Sequence, residues 1–267
     1  MNATTVRIGA HVDQHDPIAE AAARGLDVVQ IFIGDPQGWK GHEVAHPGGA
    51  EALRAAAAEA GVDIYVHAPY VINVATTNNR IRIPSRKLLQ SQMDLAASIG
   101  AKGLVVHGGH VNKGDDPAKG FENWRKAVEA IDIKVPLLIE NTAGGDNSMT
   151  RGLERISGVW AALNGVEGAD QVGFCLDTCH AHAGGNSLAT VVADVKAITG
   201  RIDLVHLNDS RDAFDSGADR HANLGEGQVD HEQLLAVVRE AGAPVVLETP
   251  GGAAEHTADV AWLRERL

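Results

Sequence analysis

The stretch Val172-Gly-Phe-Cys-Leu-Asp177 is a short apolar run that ends in a carboxylate, and the same pattern recurs along the chain. Seven further segments are rich in Val, Ile and Leu without alternating polarity, as in strands that are buried on both faces. The strand candidates are Arg7–Val12, Asp27–Ile33, Ile64–His67, Gly103–His107, Pro136–Asn141, Val172–Asp177, Asp203–Asn208 and Pro244–Glu248. The series predicts a parallel sheet.

Alanine-rich segments with helical spacing lie between these strands, and several are followed by a glycine suited to end a helix. The alternation predicts an α/β fold, a single (β/α)8 TIM barrel with its active site at the C-terminal ends of the strands. The helix candidates include Pro17–Arg24, Ala50–Ala60, Ser85–Ile99, Ala118–Ile131 and His231–Ala241.

The length of 267 residues, 44% of them hydrophobic, suits one barrel of this kind. The structural alternative is an open doubly wound sheet, but the sequence has neither GxGxxG after an early strand nor GxxxxGK[ST]. Neither a linker nor a low-complexity stretch interrupts the pattern. We therefore predict one domain spanning 1–267.

Charged or imidazole side chains terminate most of the strand candidates. Taken singly, each has a structural explanation, such as a helix cap or a hydrogen-bonded histidine. Because strand ends converge on one face of a barrel, their joint occurrence indicates a shared polar site that needs partners or metal ions. The residues are His11, His67, His107, Glu140, Asp177, His206 and Glu248.

Two further carboxylate–imidazole pairs add possible ligands. Asp177 and His180 are three residues apart, across what we expect to be a strand-to-loop turn, and Asp219 and His221 lie in the loop after His206. Histidine and carboxylate ligands favour Zn²⁺ in a catalytic site, although Mn²⁺ and Fe²⁺ are chemically admissible. Cys175 and Cys179 could also bind zinc, but we interpret them as packing residues, because two thiols cannot complete a four-thiolate site.

Several separate motifs resemble the endonuclease IV family of abasic-site endonucleases. The likeness runs from Ile8 to the C-terminus, and the motifs follow one another in the family's order. The matching stretches are His67-Ala-Pro-Tyr-Val-Ile-Asn73, Leu138-Ile-Glu-Asn-Thr-Ala-Gly144, Gly173-Phe-Cys-Leu-Asp-Thr-Cys-His180, His206-Leu-Asn-Asp-Ser210, Asp219-Arg-His221, Leu224-Gly-Glu-Gly227 and Leu247-Glu-Thr249.

The resemblance implies three zinc ions per chain, bound by nine residues. Glu140 would bridge two ions and is the candidate catalytic residue. It also implies hydrolysis of duplex DNA on the 5′ side of an abasic site, leaving a 3′-hydroxyl and a 5′-deoxyribose phosphate, with trimming of blocked 3′ ends. The implied ligands are His67 and His107 for the first ion, Asp177, His206 and Glu248 for the second, and His180, Asp219 and His221 for the third.

The sequence departs from the family pattern in three loops. After the fourth strand, His107-Gly-Gly-His110 is one residue shorter than the usual His-Pro-Gly-Ser-His, which leaves both histidines open as the metal ligand. After the first strand, Asp13-Gln-His-Asp-Pro17 replaces a Gly-Gly pair. In Asp35-Pro-Gln-Gly-Trp39, Gln37 stands where some members carry an arginine that enters the DNA stack.

The resemblance also implies a DNA-binding rim. Tyr70 and Val71 would wedge into the minor groove, and Gln37 and Arg220 are further candidate contacts. For the other cations, an ordinary solvated surface is at least as good an interpretation. Those additional candidates for phosphate contacts are Lys40, Arg80, Arg82, Arg86 and Lys113.

The formal net charge of −12 opposes DNA binding at long range. Three bound Zn²⁺ ions would add about +6 at one face and so offset this repulsion locally. An apolar run of membrane-spanning length is absent, and two cysteines are too few for a disulfide framework. We therefore expect a cytoplasmic protein of bacterial type without membrane contact. The sequence leaves the oligomeric state open, and a monomer is the default expectation.

Two other functions compete with the nuclease. A metal-dependent sugar isomerase or epimerase can use the same barrel, and fold alone does not exclude it. A metal-buffering or DNA-binding module without catalysis is the second alternative. The nine-ligand set and the Tyr70-Val71 pair favour the nuclease.

Overall fold

In the computed structural model, which describes residues 6–267, eight parallel strands close into a barrel. Each strand pairs with its neighbour in sequence, and the first also pairs with the last. This confirms the predicted TIM barrel. The barrel strands are Ile8–His11 (β1), Val28–Phe32 (β2), Asp63–His67 (β3), Gly103–His107 (β4), Leu137–Glu140 (β5), Val172–Asp177 (β6), Leu204–His206 (β7) and Val245–Leu247 (β10). Two short strands outside the barrel, Asp209–Ser210 (β8) and His221–Ala222 (β9), lie between β7 and β10 in the chain.

The helices surround this barrel, and two of them, α1 and α8, have the predicted bounds. α3 begins at Asn79 rather than Ser85, because the Asn78 side chain accepts a hydrogen bond from Arg80 N and the helix continues through Pro84. The helices are Pro17–Arg24 (α1), Gly49–Ala60 (α2), Asn79–Ser98 (α3), Pro117–Ala130 (α4), Leu153–Leu163 (α5), Thr178–Ala183 (α6), Val191–Thr199 (α7), His231–Ala241 (α8) and Ala253–Arg264 (α9).

Two segments that were expected to be loops are ordered elements. The chain after Asp177 forms the helix α6, and the Asp177 side chain caps it by accepting a hydrogen bond from His180 N at 2.6 Å. The strand-to-loop prediction for this segment was therefore wrong. The segment between His206 and His221 includes the antiparallel pair β8–β9, which brings the Asp219–His221 segment back toward the barrel.

A layer of side chains fills the interior of the barrel, separate from the larger core between strands and helices. Alternate residues of a strand point to the same face, so the residue two positions further along each strand also points inward, one layer nearer the C-terminal end. The interior layer consists of Val28, Tyr65, Val105, Leu138, Cys175, Leu204 and Val246.

No helix within residues 6–267 is long and apolar enough to cross a membrane.

Candidate metal centre

A ring of polar residues lies one layer above the apolar interior, at the C-terminal mouth of the barrel. Each barrel strand or strand end supplies one member, and seven of the eight follow an interior residue by two positions. The ring therefore results from strand periodicity rather than from loop conformation. Its members are His11, Gln30, His67, His107, Glu140, Asp177, His206 and Glu248.

The first group of possible ligands consists of His67, His107 and Glu140, whose ligand atoms lie within 4.8 Å of one another. Glu140 Oε2 is 3.2 Å from His67 Nε2 and 3.4 Å from His107 Nε2. His67 Nδ1 lies 2.7 Å from the Ala68 carbonyl oxygen, a contact that holds the ring with Nε2 toward the group. This is the arrangement that a metal-binding histidine adopts.

The second group shares Glu140 with the first and adds Asp177, His206 and Glu248. His206 Nδ1 lies 3.2 Å from Glu140 Oε1 and 3.4 Å from Glu248 Oε2. The two carboxylate oxygens of Glu140 thus face different histidines. Because the side chain is fully buried, this orientation is fixed by the surrounding residues rather than by solvent. A carboxylate placed in this way can bridge two cations.

The third group comprises His180, Asp219 and His221. Asp219 Oδ1 is 3.1 Å from His180 Nε2 and 3.2 Å from His221 Nε2. The Nδ1 atoms lie 2.9 Å from the Asn141 carbonyl oxygen in His180 and 3.1 Å from the Glu248 carbonyl oxygen in His221. Both rings therefore direct Nε2 toward the group.

A fourth combination, Asp177, Cys179 and His221, also brings its ligand atoms within 4.8 Å. Burial raises the pKa of the Cys179 thiol to about 12, so the thiol stays protonated at neutral pH. Zinc binds thiolate rather than thiol. The thiol is therefore a weaker ligand than the imidazoles and carboxylates around it.

The electrostatics of the centre are dominated by carboxylates that lie against imidazoles; Glu140 and Asp177 are buried, whereas Asp219 is exposed. Burial lowers the pKa of His221, but the adjacent Asp219 and Asp177 outweigh it and raise this pKa to about 9. Burial is likewise overcome at His180, where Asp177 and Asp219 raise the pKa well above its usual value. At Glu248 burial is outweighed by His206, which lowers the pKa to about 2. Protons on His180 and His221 thus balance the carboxylates where cations could replace them. Burial instead lowers the pKa of His107 to about 4, so its ring is neutral at pH 7.

The donor set fits divalent cations. The atoms that face one another are imidazole nitrogens and carboxylate oxygens, which suit Zn²⁺ and related ions. His221 Nε2 is buried and has no hydrogen-bond partner among the described residues, since its approach to Asp219 lacks hydrogen-bond geometry. A buried nitrogen of this kind needs a partner, and a cation between His221, His180 and Asp219 would supply one.

The shortened loop after β4 keeps its two histidines in separate environments. His107 faces Glu140, whereas the imidazole of His110 lies 3.2 Å from the side-chain nitrogen of Asn73. Gly109 between them has a positive φ of 70°, and an added Cβ there would lie 2.5 Å from Asn73 Oδ1. The geometry favours His107 over His110 as the ligand.

A cleft of about 510 Å³ opens beside the first group. Tyr70 and Val71 line it; Tyr70 is 52% exposed and stacks on His107, with ring centroids 5.6 Å apart. Gln37 lies in the neighbouring loop, where its backbone N donates to Asp35 Oδ1. Arg220 is exposed and pairs with Asp212. None of the candidate DNA-binding residues belongs to a ligand group, and Tyr70 and Val71 lie beside the first one.

Three buried amides that were not predicted from the sequence contact the proposed ligands. Asn208 donates to Asp177 Oδ2 at 2.7 Å and accepts from Glu248 N at 2.8 Å. Asn141 accepts from Asp177 N at 2.8 Å, and Gln30 contacts His206 and Glu248. The position of Gln30, two residues after an interior valine, was the signal that could have revealed it.

Comparison with known proteins agrees with the fold and the motif order. Residues 18–266 match the family described as xylose isomerase-like TIM barrel. Over 259 residues the chain is 52% identical to probable endonuclease 4 of Mycobacterium bovis (strain BCG / Pasteur 1173P2), covering 97% of this chain and 98% of that protein. The probable endonuclease 4 of Mycobacterium leprae (strain Br4923) has the same identity and coverage.

Solved structures with lower sequence identity to this chain share its fold. Endonuclease IV from Thermus thermophilus matches with a TM-score of 0.83 at 29% identity, over 97% of this chain and 98% of that one. A D-tagatose 3-epimerase-like protein reaches a TM-score of 0.79 at 19% identity, over 97% and 96% of the two chains, a likeness of fold alone. On the combined strength of sequence identity, coverage and fold, the chain belongs to the endonuclease IV family of xylose isomerase-like TIM barrels.

Proposed function

We propose that this protein is a zinc-dependent DNA-repair endonuclease. It hydrolyses the phosphodiester 5′ to an abasic site in duplex DNA, leaves a 3′-hydroxyl and a 5′-deoxyribose phosphate, and also removes blocking groups from 3′ ends. The observation that carries the proposal is the set of three ligand groups in the mouth of the barrel, two of which share Glu140. The substrate class comes from the family, whose mycobacterial members are named endonucleases.

The proposed centre holds three zinc ions, with Mn²⁺ or Fe²⁺ possible at individual positions. When bound, such ions supply Lewis acidity and lower the pKa of water to about 7. Glu140 holds two of the sites together through its separate oxygens, and we assign it the role of orienting the attacking water. The histidines are held with one nitrogen on a protein acceptor, which keeps the other nitrogen available.

Recognition of the lesion rests on the cleft beside His107. An abasic nucleotide lacks a stacked base, so it is extruded from the duplex at lower cost than an intact nucleotide. The exposed ring of Tyr70, supported by His107 and Phe32, is suited to fill the space that the missing base leaves. Val71 adds apolar contact in the same cleft. Gln37 and Arg220 are assigned to the surrounding DNA.

The surface beside this cleft carries a local positive charge on an otherwise acidic chain. The sequence contains no Asp or Glu from residue 64 to residue 93, whereas the start of α3 carries four cations. A neighbouring groove of about 650 Å³ is lined by Trp39, Lys40, Arg80 and Lys87, and Trp39 also lines the cleft with Tyr70. We propose that this groove binds the DNA backbone. The four cations are Arg80, Arg82, Arg86 and Lys87.

The experiment that tests the proposal uses the full chain loaded with zinc and a 5′-labelled duplex that contains one tetrahydrofuran abasic analogue. We expect one incision at the lesion, a product that a polymerase can extend, and no cleavage of the intact duplex. Ketoses assayed in parallel test the epimerase alternative. Epimerisation of a ketose without incision of DNA would contradict the proposal, and so would tight DNA binding without incision.

A further inference from the structure

Gln30 is a buried polar side chain in the middle of an apolar strand. β2 reads Val-Val-Gln-Ile-Phe, and Gln30 is 0% exposed. It follows the interior residue Val28 by two positions, so it points into the barrel in the layer of the proposed ligands. An amide buried in this way destabilises the fold unless its polar atoms are hydrogen bonded. Its partners must therefore come from the ring itself.

The Gln30 amide uses both its oxygen and its nitrogen within that ring. Oε1 accepts from His206 Nε2 at 2.8 Å. Nε2 donates to Glu248 Oε1 at 2.6 Å and to His11 Nδ1 at 3.1 Å. The flipped amide would set its oxygen against the Glu248 carboxylate, so only one orientation satisfies the network.

This orientation determines which nitrogen of His206 is free. Because Oε1 of Gln30 has no proton to donate, His206 must donate from Nε2, and Nδ1 is then left with its lone pair in the neutral ring. Nδ1 is the atom that faces Glu140 and Glu248 in the second ligand group. Within residues 6–267, no side-chain amide orients the other four proposed histidine ligands in this way, and three of them place Nδ1 against a backbone carbonyl.

The same amide also gives the two carboxylate oxygens of Glu248 different partners. Oε1 is held by Gln30, while Oε2 lies 3.4 Å from His206 Nδ1 on the side of the second group. The backbone N of Glu248 is separately fixed by Asn208 at 2.8 Å. Glu248 is therefore held through its side chain by Gln30 and through its backbone by Asn208.

We propose that Gln30 is a positioning residue for the second metal site, orienting His206 and Glu248 together. The inference rests on the proposed function, since it requires that the second group binds a metal ion. Residues that orient metal ligands in this way commonly contribute 10- to 100-fold, as an order of magnitude, to metal affinity. We expect a loss of about this size at one site when the amide is removed.

The test compares Gln30→Met with Gln92→Met in the full chain. Gln92 is also fully buried, but it donates to the Ile33 carbonyl oxygen and contacts none of the proposed ligands. Zinc release is followed in a titration with a competing chelator. We expect Gln30→Met to release one of three zinc ions about 10- to 100-fold more readily, and Gln92→Met to behave as the wild type does.

A second variant and a spectroscopic signal distinguish a role of Gln30 in orienting His206 and Glu248 from a role in packing alone. Gln30→Glu keeps the size of the side chain and an acceptor for His206, but it removes both donors, so we expect zinc retention to be weakened here as well. In long-range ¹H–¹⁵N spectra of the zinc-loaded wild type, His206 should show a proton on Nε2 that is protected from exchange. Gln30→Met should lose that protection, and Gln92→Met should keep it.

The outcomes distinguish this inference from the proposed function. A wild-type chain that binds fewer than three zinc ions contradicts the function whatever the variants do. A wild type with three ions, together with unchanged zinc release and an unchanged His206 signal in the Gln30 variants, overturns only the positioning role. A zinc-loaded crystal structure with Gln30 Oε1 bound directly to the metal would also overturn it.

Discussion

The two ends of the barrel both carry carboxylates, but they balance them differently. At the N-terminal end Asp63 contacts Arg7 and Lys102, and Asp203 contacts Arg201. At the C-terminal end four carboxylates have only histidines as basic partners among the described residues. They are Glu140, Asp177, Asp219 and Glu248.

The difference indicates at which end of the barrel the positive charges beside the carboxylates can be exchanged. Arginine and lysine remain protonated at neutral pH, so the N-terminal ion pairs are permanent and partly exposed to solvent. Histidine can release its proton and bind a metal ion through the same nitrogen. Carboxylates whose basic partners are histidines alone can therefore exchange the histidine protons for cations, whereas those beside arginine or lysine keep a permanent countercharge.

The largest expected effect is on incision activity, which should depend on the carboxylates at the C-terminal end of the barrel and not on those at the N-terminal end. Glu140→Gln keeps the size of the side chain but removes the charge that the first and second ligand groups share. We therefore expect the rate of incision of abasic DNA to fall on the order of 10²- to 10⁴-fold. Asp63→Asn is the matched control at the opposite end and should retain incision. Rates at saturating zinc measure the contrast. Near-normal turnover by metal-loaded Glu140→Gln would remove Glu140 from the mechanism.

The next effect concerns stability against pH. The folded-state pKa of His221 is raised to about 9. In the metal-free protein its contribution to stability is therefore complete below about pH 6.5 and is lost as the pH rises toward 9. In the zinc-loaded protein the sign reverses, because metal competes better as the histidines lose protons. Melting temperatures from pH 6 to pH 9, with and without chelator, check this; parallel curves would contradict it.

A smaller effect is expected on the DNA-binding groove. Arg80→Ala with Lys87→Ala removes two cations that line it, so the slope of log affinity against log salt should become shallower by about 2. The control is Lys126→Ala with Lys134→Ala, since both of these lysines already form ion pairs on the outer surface. Fluorescence anisotropy with abasic duplex gives both slopes. Equal slopes for the two variants would exclude the groove from DNA binding.

The smallest effect is on the N-terminal ion pairs themselves. Asp63→Asn weakens contacts with Arg7 and Lys102 that are partly exposed. Solvent screening keeps such pairs weak, so we expect the free energy of unfolding to fall by about 0.2–1 kcal/mol. Urea denaturation measures it. A loss of several kcal/mol would show that this end also depends on buried charge.

Much of the fold and of the candidate site could be predicted from apolar runs and the polar residues at their ends. All eight strands could be located because parallel strands buried on both faces are continuously apolar, and their polar ends gave His11, His67 and Glu140. Gln30 was missed because β2 continues with Ile31 and Phe32 after it, so it does not stand at the end of an apolar run.

The remainder depends on contacts between residues far apart in the chain. The helical turn after Asp177 is only six residues long and begins with Thr178 and Cys179, which are poor helix formers. Its cap contact with His180 cannot be seen in composition. Likewise, the approach of Asp219 to His180 depends on the β8–β9 pair, and no local pattern in the sequence specifies that pairing.

Anomalous diffraction at the zinc absorption edge tests the central claim most directly. Crystals of the zinc-loaded protein should show three peaks, one within each ligand group, with two of them on either side of the Glu140 carboxylate. A single peak, or a centre in which protonated histidines remain hydrogen bonded to the carboxylates under excess zinc, would contradict it.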